Sequence, residues 1–242
     1  MSERTRFLWR AYRSRYRDHR AELSAIRAHI RPGDLVCDVG ANKGSFLYWL
    51  SKWSCGGWVV AFEPQPDLSQ YLVRMCSGLG LENVTIESQA AFSETGQRDL
   101  FIPHGHAPGA SLRPEGLSYA ELHAITVRTV ALDDYFSDRD RVSVLKIDVE
   151  GAENSVFEGA ERILTKDRPL LVFECEARHL GAGRISDVFH KLETLGYRGT
   201  FIERGAAIPI AEFREDIHQR RHGEWFWKKA GYCPNFVFSP IR

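Results

Sequence analysis

From residue 34 onward, short apolar runs alternate with stretches in which apolar residues recur every three or four positions. The runs DLVCDV (34–39), WVVAF (58–62), NVTIE (83–87), VSVLKID (142–148), PLLVFEC (169–175), YRGTFI (197–202) and NFVFS (235–239) predict strands. Several are apolar throughout, as parallel strands covered on both faces are. Helical spacing predicts helices over 44–53, 66–77, 153–165 and 184–195. Strand and helix in this alternation mean a doubly wound α/β sheet. Residues 97–135 interrupt the alternation with mixed, loop-rich sequence that includes PHGHAPGASL (103–112), and 203–224 is polar. Ahead of the sheet, Leu8, Tyr12, Tyr16, His19, Leu23, Ile26 and Ile30 fall three or four apart and predict one face of a long helix, ended by Arg31-Pro32-Gly33. The expected organisation is an N-terminal amphipathic helix (1–31) and one domain (32–242).

Composition changes this picture little: 43% hydrophobic and 26% charged residues suit a domain with a real core. Charge changes it more. The net formal charge is zero, yet residues 1–20 carry seven arginines against Glu3 and Asp18. The bland reading is a packed helix with solvated arginines; the sharper ones are contact with an acidic partner, an anionic substrate or a membrane surface. The helix is also a candidate homodimer element, because its stripe is long. Beyond it, basic residues are balanced by acids, which argues against a nucleic-acid substrate. No apolar run reaches bilayer-spanning length, and the N-terminus lacks the apolar stretch of a secretory signal, so a cytoplasmic location is expected. Five scattered cysteines without a CxxC predict neither a disulfide framework nor a zinc ribbon.

The candidate chemistry begins at LVCDVGANKGSF (35–46), where the first strand leaves through a glycine-rich turn. Such a turn lies at the carboxyl end of the sheet, where open α/β sheets bind ligands. Gly40-Ala41-Asn42-Lys43-Gly44 is G-x-x-x-G, which fails the G-x-G-x-x-G dinucleotide pattern, and Ser45-Phe46 after it fails the P-loop pattern. Asp38 before the turn suits a ligand that carries a cation. Glu63, ending WVVAFEP (58–64), occupies the position where an acid accepts hydrogen bonds from ribose hydroxyls. A cationic, ribose-bearing ligand without phosphates describes S-adenosylmethionine.

DVGANKGSF, AFEP, QAAFSE (89–94), TVALDDYF (129–136), LKIDVEGAE (145–153) and LLVFECE (170–176) stand in the order that resembles the FkbM-type methyltransferases, over roughly residues 30–240. LKIDVEGAE is the most specific part. The resemblance implies a Rossmann-like, class I methyltransferase fold with a mostly parallel seven-stranded sheet. It also implies an S-adenosylmethionine-dependent O-methyltransferase acting on a hydroxyl of a sugar, glycan or secondary metabolite. An N- or carboxyl-methyltransferase and a non-catalytic S-adenosylmethionine-binding protein stay open as alternatives.

On that resemblance Asp38, Gly40, Ala41, Asn42 and Gly44 line the cofactor's methionine end. Ser45 and Phe46 open a helix whose amides favour its carboxylate, Glu63 and Pro64 meet the ribose, and Gln89 and Ala90 flank the adenine. Gln89 stands where many members carry asparagine. The acids Asp148, Glu150, Glu153, Glu174 and Glu176, with His179, gather at the reactive end. An alcohol needs a general base or a metal to become a nucleophile. The base is His179 or Asp148; the metal alternative, not favoured, is Mg2+ held by Asp148 with Glu174 or Glu176. Lys146 reads as structural, paired with an acid, and His104-Gly105-His106 as a solvated loop pair. Ser111, Glu150, Trp225 and Trp227 are the candidate acceptor contacts, the tryptophans with a lid role as the blander reading.

Overall fold

The computed structural model describes residues 1–103, 109–113, 122–181 and 183–241. The chain opens with helices Glu3–Arg13 (α1) and Arg20–His29 (α2). There follow strand Leu35–Val39 (β1), helix Leu47–Trp53 (α3), strand Trp58–Phe62 (β2), helix Pro66–Leu79 (α4) and strand Val84–Glu87 (β3). A side layer is built from Ala90–Ala91 (β4), Gly96–Pro103 (β5) and Leu122–Val130 (β6), and Leu132–Tyr135 (α5) returns the chain to the main sheet. Val142–Ile147 (β7), Glu153–Glu158 (α6), Leu170–Glu174 (β8) and Ile185–Thr194 (α7) continue the alternation. Tyr197–Glu203 (β9), Ala206–Pro209 (β10), Glu215–His218 (α8) and Asn235–Pro240 (β11) complete it.

The seven predicted strands all enter one sheet, in the order β10-β9-β11-β8-β7-β1-β2-β3, with β10 an added edge strand hairpinned onto β9. The pairs β3-β2-β1-β7-β8 are parallel, and β11 runs antiparallel to both neighbours. Strand order reverses between β1 and β7, so the ligand crevice belongs at their carboxyl ends. Register matters there: Asp38 of β1 lies directly beside Lys146 of β7.

Three expectations need correction. The segment 97–135, expected as loop-rich, contains the β5–β6 pair of a second sheet ordered β4-β6-β5. In β6 the period is two, with Ile125, Val127 and Thr129 turned inward and Thr126 and Arg128 exposed. The helix expected over 44–53 begins only at Leu47, so Ser45 and Phe46 belong to the turn. The long N-terminal helix is two helices, joined by a wider π-type turn at Ser14–Asp18 and broken at His19 (φ −127°, ψ 40°). The break changes which side faces the core. Phe7, Ala11 and Ser14 are buried before it, Leu23, Ile26 and Ile30 after it, and Tyr12 and Tyr16 of the expected stripe are exposed.

Phe7 explains Gly44. That glycine has φ +75°, and a Cβ there would meet Phe7 Cε2 at 2.5 Å and Leu72 Cδ2 at 3.0 Å. The second glycine of the turn is therefore required by the seal that α1 and α4 make over it. Gly44→Ala is expected to cost about 2–4 kcal/mol, from left-handed backbone and overpacking together. In a Phe7→Ala background the further cost of Gly44→Ala should fall to about 1 kcal/mol, since the two sites share one contact. Urea unfolding of the four proteins measures this; additive costs would show that Phe7 is not what constrains the turn.

Candidate functional site

The turn after β1 is held from behind. The amides of Gly40 and Ala41 donate to the Phe62 carbonyl at 3.0 and 3.1 Å, and Gly44 N–H donates to the Ala41 carbonyl. Asn42 adopts φ 47°, which directs its N–H to Glu63 Oε2 at 2.8 Å, while Gln65 N–H donates to Oε1 at 2.9 Å. Glu63 thus keeps a fixed orientation, and burial pushes its carboxyl up to about 7 against those two backbone donors. Gly40, at φ +75°, has no room for a side chain, because a Cβ would fall 1.8 Å from the Asp148 carbonyl oxygen. The first glycine lets the ends of β1 and β7 close on each other.

Beneath the turn Lys146 is buried. Its ammonium lies 3.1 Å from Asp38 Oδ1 and 3.9 Å from Asp148 Oδ2, and donates to the Gly40 carbonyl at 2.9 Å. Burial works to lower the Lys146 pKa, but Asp38 and Asp148 more than offset it and hold the ammonium above its ordinary value. Asp38 is only 1% exposed, and burial raises its carboxyl. It braces Lys146 and lies outside the cleft lining, a correction to the expected contact with the cofactor's amino end.

A cleft of about 770 Å³, counted to its open mouth, lies over these strand ends. Of the expected cofactor residues, Gly40, Asn42, Glu63, Pro64 and Ala90 line it, as do the expected reactive-end acids Asp148, Glu150 and Glu174. Ala41, Gly44, Ser45, Phe46 and Gln89 do not line it. The Gln89 amide donates instead to Glu87 at 3.1 Å. Leu100, Ala110 and Leu112, from β5 and the segment after it, form an apolar wall absent from the sequence reading. The period-two alternation of β6, the sheet partner of β5, was the available signal. A smaller recess bordered by His19, Glu22 and Phe46 reaches Asp148 and Glu174 from another direction.

The remaining candidates fall into supporting positions. His179 is buried outside the cleft lining, with Nδ1 2.9 Å from Glu150 Oε2; it fixes Glu150, whose backbone is left-handed (φ 51°). Ser111, also buried, donates to the Glu150 carbonyl at 2.6 Å, so it too holds this loop. Both carboxylate oxygens of Glu176 are taken, by the Arg178 fork at 2.7 and 2.8 Å and by the Tyr232 hydroxyl at 2.5 Å. Trp225 and Trp227 lie outside the cleft lining, with Arg178 over the Trp227 ring at 4.6 Å. His104 and His106 lie outside the described residues. Among the described residues, Glu150, Glu176 and His179 offer ligand atoms within 4.8 Å of one another, a different set from the one expected for a metal. Arg178 already neutralises one member of it.

The family described as Methyltransferase FkbM domain matches residues 38–199. The 31-O-demethyl-FK506 methyltransferase FkbM of Streptomyces tacrolimicus is 30% identical over 159 residues, which cover 54% of this chain and 61% of that protein. Among solved structures, the methyltransferase FkbM of Methylobacillus flagellatus KT superposes with a TM-score of 0.55 at 17% identity, over 86% of this chain and 43% of that one. A putative rRNA-methylase from Clostridium thermocellum gives 0.53 at 11% identity, over 91% and 93%. The match thus spans less than two thirds of the curated relative and of the first of these structures. The two structural likenesses describe the fold alone.

Glu153 supplies a test of the loop that carries the acids. Its Oε1 accepts from Gly151 N–H at 2.9 Å, Oε2 is buried with no hydrogen-bond partner among the described residues, and burial pushes the carboxyl up from 4.5 to about 7. A carboxyl raised on folding stabilises the protein below its unfolded pKa, and that contribution is lost as pH rises through the folded value. Glu153→Gln should therefore be about 1–3 kcal/mol more stable than the parent at about pH 8, and nearly equal to it at about pH 5. Urea midpoints at the two pH values decide it; the same difference at both would remove the burial argument.

Proposed function

The chain belongs to the FkbM methyltransferase family, and on that premise we propose that it transfers a methyl group from S-adenosylmethionine to a hydroxyl of a small hydroxylated acceptor, a sugar, glycan or secondary metabolite. The observation that carries this reading is the pairing in one cleft of an oriented, buried Glu63 with Asp148, Glu150 and Glu174. One end suits a ribose diol and the other a cation. The residues fit the cofactor: Glu63 has free lone pairs beside its two backbone donors, and the acids complement a sulfonium. Bound there, S-adenosylmethionine would supply a methyl group on a positively charged leaving sulfur.

Glu63 accepts the ribose hydroxyls, while Leu100, Ala110 and Leu112 cover the apolar side of the ligand. Asp148 borders both the cleft and the smaller recess, so it stands where cofactor and acceptor would meet. It is the general base of this proposal: it would take the proton of the acceptor hydroxyl, whose oxygen would thereby become the nucleophile for the methyl group that the bound cofactor would supply. Lys146, 3.9 Å from Asp148 Oδ2, holds that carboxylate in position. Glu174 is a different kind of acid, since burial and then Asp148, Glu150 and Glu176 raise its carboxyl well above the ordinary range. Lining the cleft beside Asp148, Glu174 is placed to orient the acceptor or that carboxylate. His179 acts through Glu150 as a positioning residue. Base catalysis without a metal is the reading favoured here; of the two acids that could join Asp148 around Mg2+, Glu176 is already taken by Arg178.

Thermal unfolding with S-adenosylhomocysteine should show a raised midpoint for the parent protein and for Asp148→Asn, and little or none for Glu63→Ala. With methyl-labelled cofactor and a panel of hydroxylated acceptors, kcat of Asp148→Asn should fall about 100-fold or more, unchanged by EDTA. Turnover by Asp148→Asn at the parent rate would remove it as the base. No thermal shift with the adenosyl ligand would remove the cofactor assignment itself.

A further inference from the structure

Trp9, Tyr12 and Tyr16 are 52%, 47% and 65% exposed. They recur at steps of three and four along α1 and the turn that follows, and so project from the side roughly opposite the buried Phe7, Ala11 and Ser14. A helix with an aromatic stripe on its outer side carries more apolar surface than its own domain covers. The stripe continues onto α3, with Tyr12 5.0 Å from Trp49 and 6.1 Å from Tyr48, and Trp49 stacked on Trp53 at 5.6 Å between centroids.

Cations border this platform. Arg13 lies 5.1 Å from the Trp9 ring centroid, Arg15 5.7 Å from Tyr16 and 5.5 Å from Trp53, and Lys52 5.8 Å from Tyr48. Arg6, Arg17 and Arg20 are exposed beside it. The acids of the segment are Glu3 and Asp18, and Asp18 pairs with Arg13 and Arg17, which leaves a large positive excess.

We propose that this aromatic and arginine surface docks the protein on an anionic lipid bilayer, with α1 lying in the headgroup plane. Tyrosine and tryptophan settle at that depth, apolar body down and polar edge up, while arginines are drawn to anionic headgroups. Base stacking requires open ring faces, and several faces here are already covered by guanidinium groups or neighbouring rings. Pairing two copies through this surface would set one positive field against its twin, so the homodimer expected from the helix is the weaker use of it. The proposal goes beyond methyl transfer and does not depend on the acceptor.

The test is flotation of the purified full chain with vesicles of phosphatidylcholine alone and with about 30% phosphatidylserine, at about 0.05 and about 0.5 M NaCl. Binding is expected only with phosphatidylserine, weakened about tenfold or more at the higher salt. Trp9→Ser/Tyr16→Ser and Arg6→Glu/Arg17→Glu should each weaken it about tenfold. The replaced side chains are exposed, and an unchanged thermal midpoint verifies that each variant folds. No flotation at low salt, equal flotation without phosphatidylserine, or parent-like flotation of both variants would overturn the proposal. So would tighter binding to a single-stranded oligoribonucleotide than to the vesicles, which would assign the surface to nucleic acid.

Discussion

One buried ammonium governs the geometry of the cleft. Lys146 sits in the interior strand β7, where an unpaired charge would cost several kcal/mol. The cost is offset by Asp38 at 3.1 Å, the Gly40 carbonyl at 2.9 Å and the Phe46 ring, whose centroid is 5.4 Å away. Each partner comes from β1 or the turn after it, while the lysine comes from β7, so the charge ties together the two strands between which the crevice opens. Neither Asp38 oxygen has another hydrogen-bond donor among the described residues. The pair is therefore mutual: each charge is tolerable in the interior because of the other, and the register that sets Lys146 beside Asp38 is the condition for both.

The glycine turn takes its shape from the same closure. The sequence reading set both glycines along the methionine end of a cofactor. Gly40 borders the cleft, but the atom that excludes its side chain is the Asp148 carbonyl oxygen. Gly44 faces Phe7, a contact between residues thirty-seven positions apart whose existence no local pattern announces. Both glycines are demanded by protein packing first. The cleft side of the turn falls to Gly40 and Asn42, with Asn42 in left-handed backbone that an asparagine tolerates better than most residues.

The central strands were legible because parallel strands buried on both faces are apolar throughout, and WVVAF or PLLVFEC leaves little room for another reading. That Glu63, Asp148 and Glu174 would border one cleft was legible because strand ends in such a sheet converge on one crevice. What sequence could not rank was the acids. Asp148, Glu150, Glu153, Glu174 and Glu176 look alike along the chain, yet each meets a different partner. Lys146 faces the first, His179 the second and the Gly151 amide the third, while Glu174 faces other carboxylates and Glu176 has the Arg178 fork. Lys146 comes from β7 itself, His179, Gly151 and Arg178 come from the loops after β7 and β8, and Tyr232, the further partner of Glu176, from far along the chain. The partner of Ser111 was hidden for the same reason: its hydroxyl donates to the Glu150 carbonyl, thirty-nine positions along the chain.

The N-terminal helices show why the break at His19 matters more than the helices' length. A continuous helix carrying the expected stripe would bury Tyr12, Tyr16, Leu23 and Ile26 on one side and leave the arginines to solvent. The π-type turn shifts the phase, so Phe7 and Ala11 become the inward residues of α1 while α2 keeps Leu23 and Ile26 inward. Phe7 then reaches Gly44, and His19 and Glu22 come to border the recess that meets Asp148 and Glu174. The aromatic residues displaced from the core, Tyr12 and Tyr16, join Trp9 on the outside. A single irregularity in the helix thus seals the back of the glycine turn, walls one side of the acid cluster and creates the exposed aromatic surface. The N-terminal segment is part of the architecture of the site, and its outer face is what remains once that role is met.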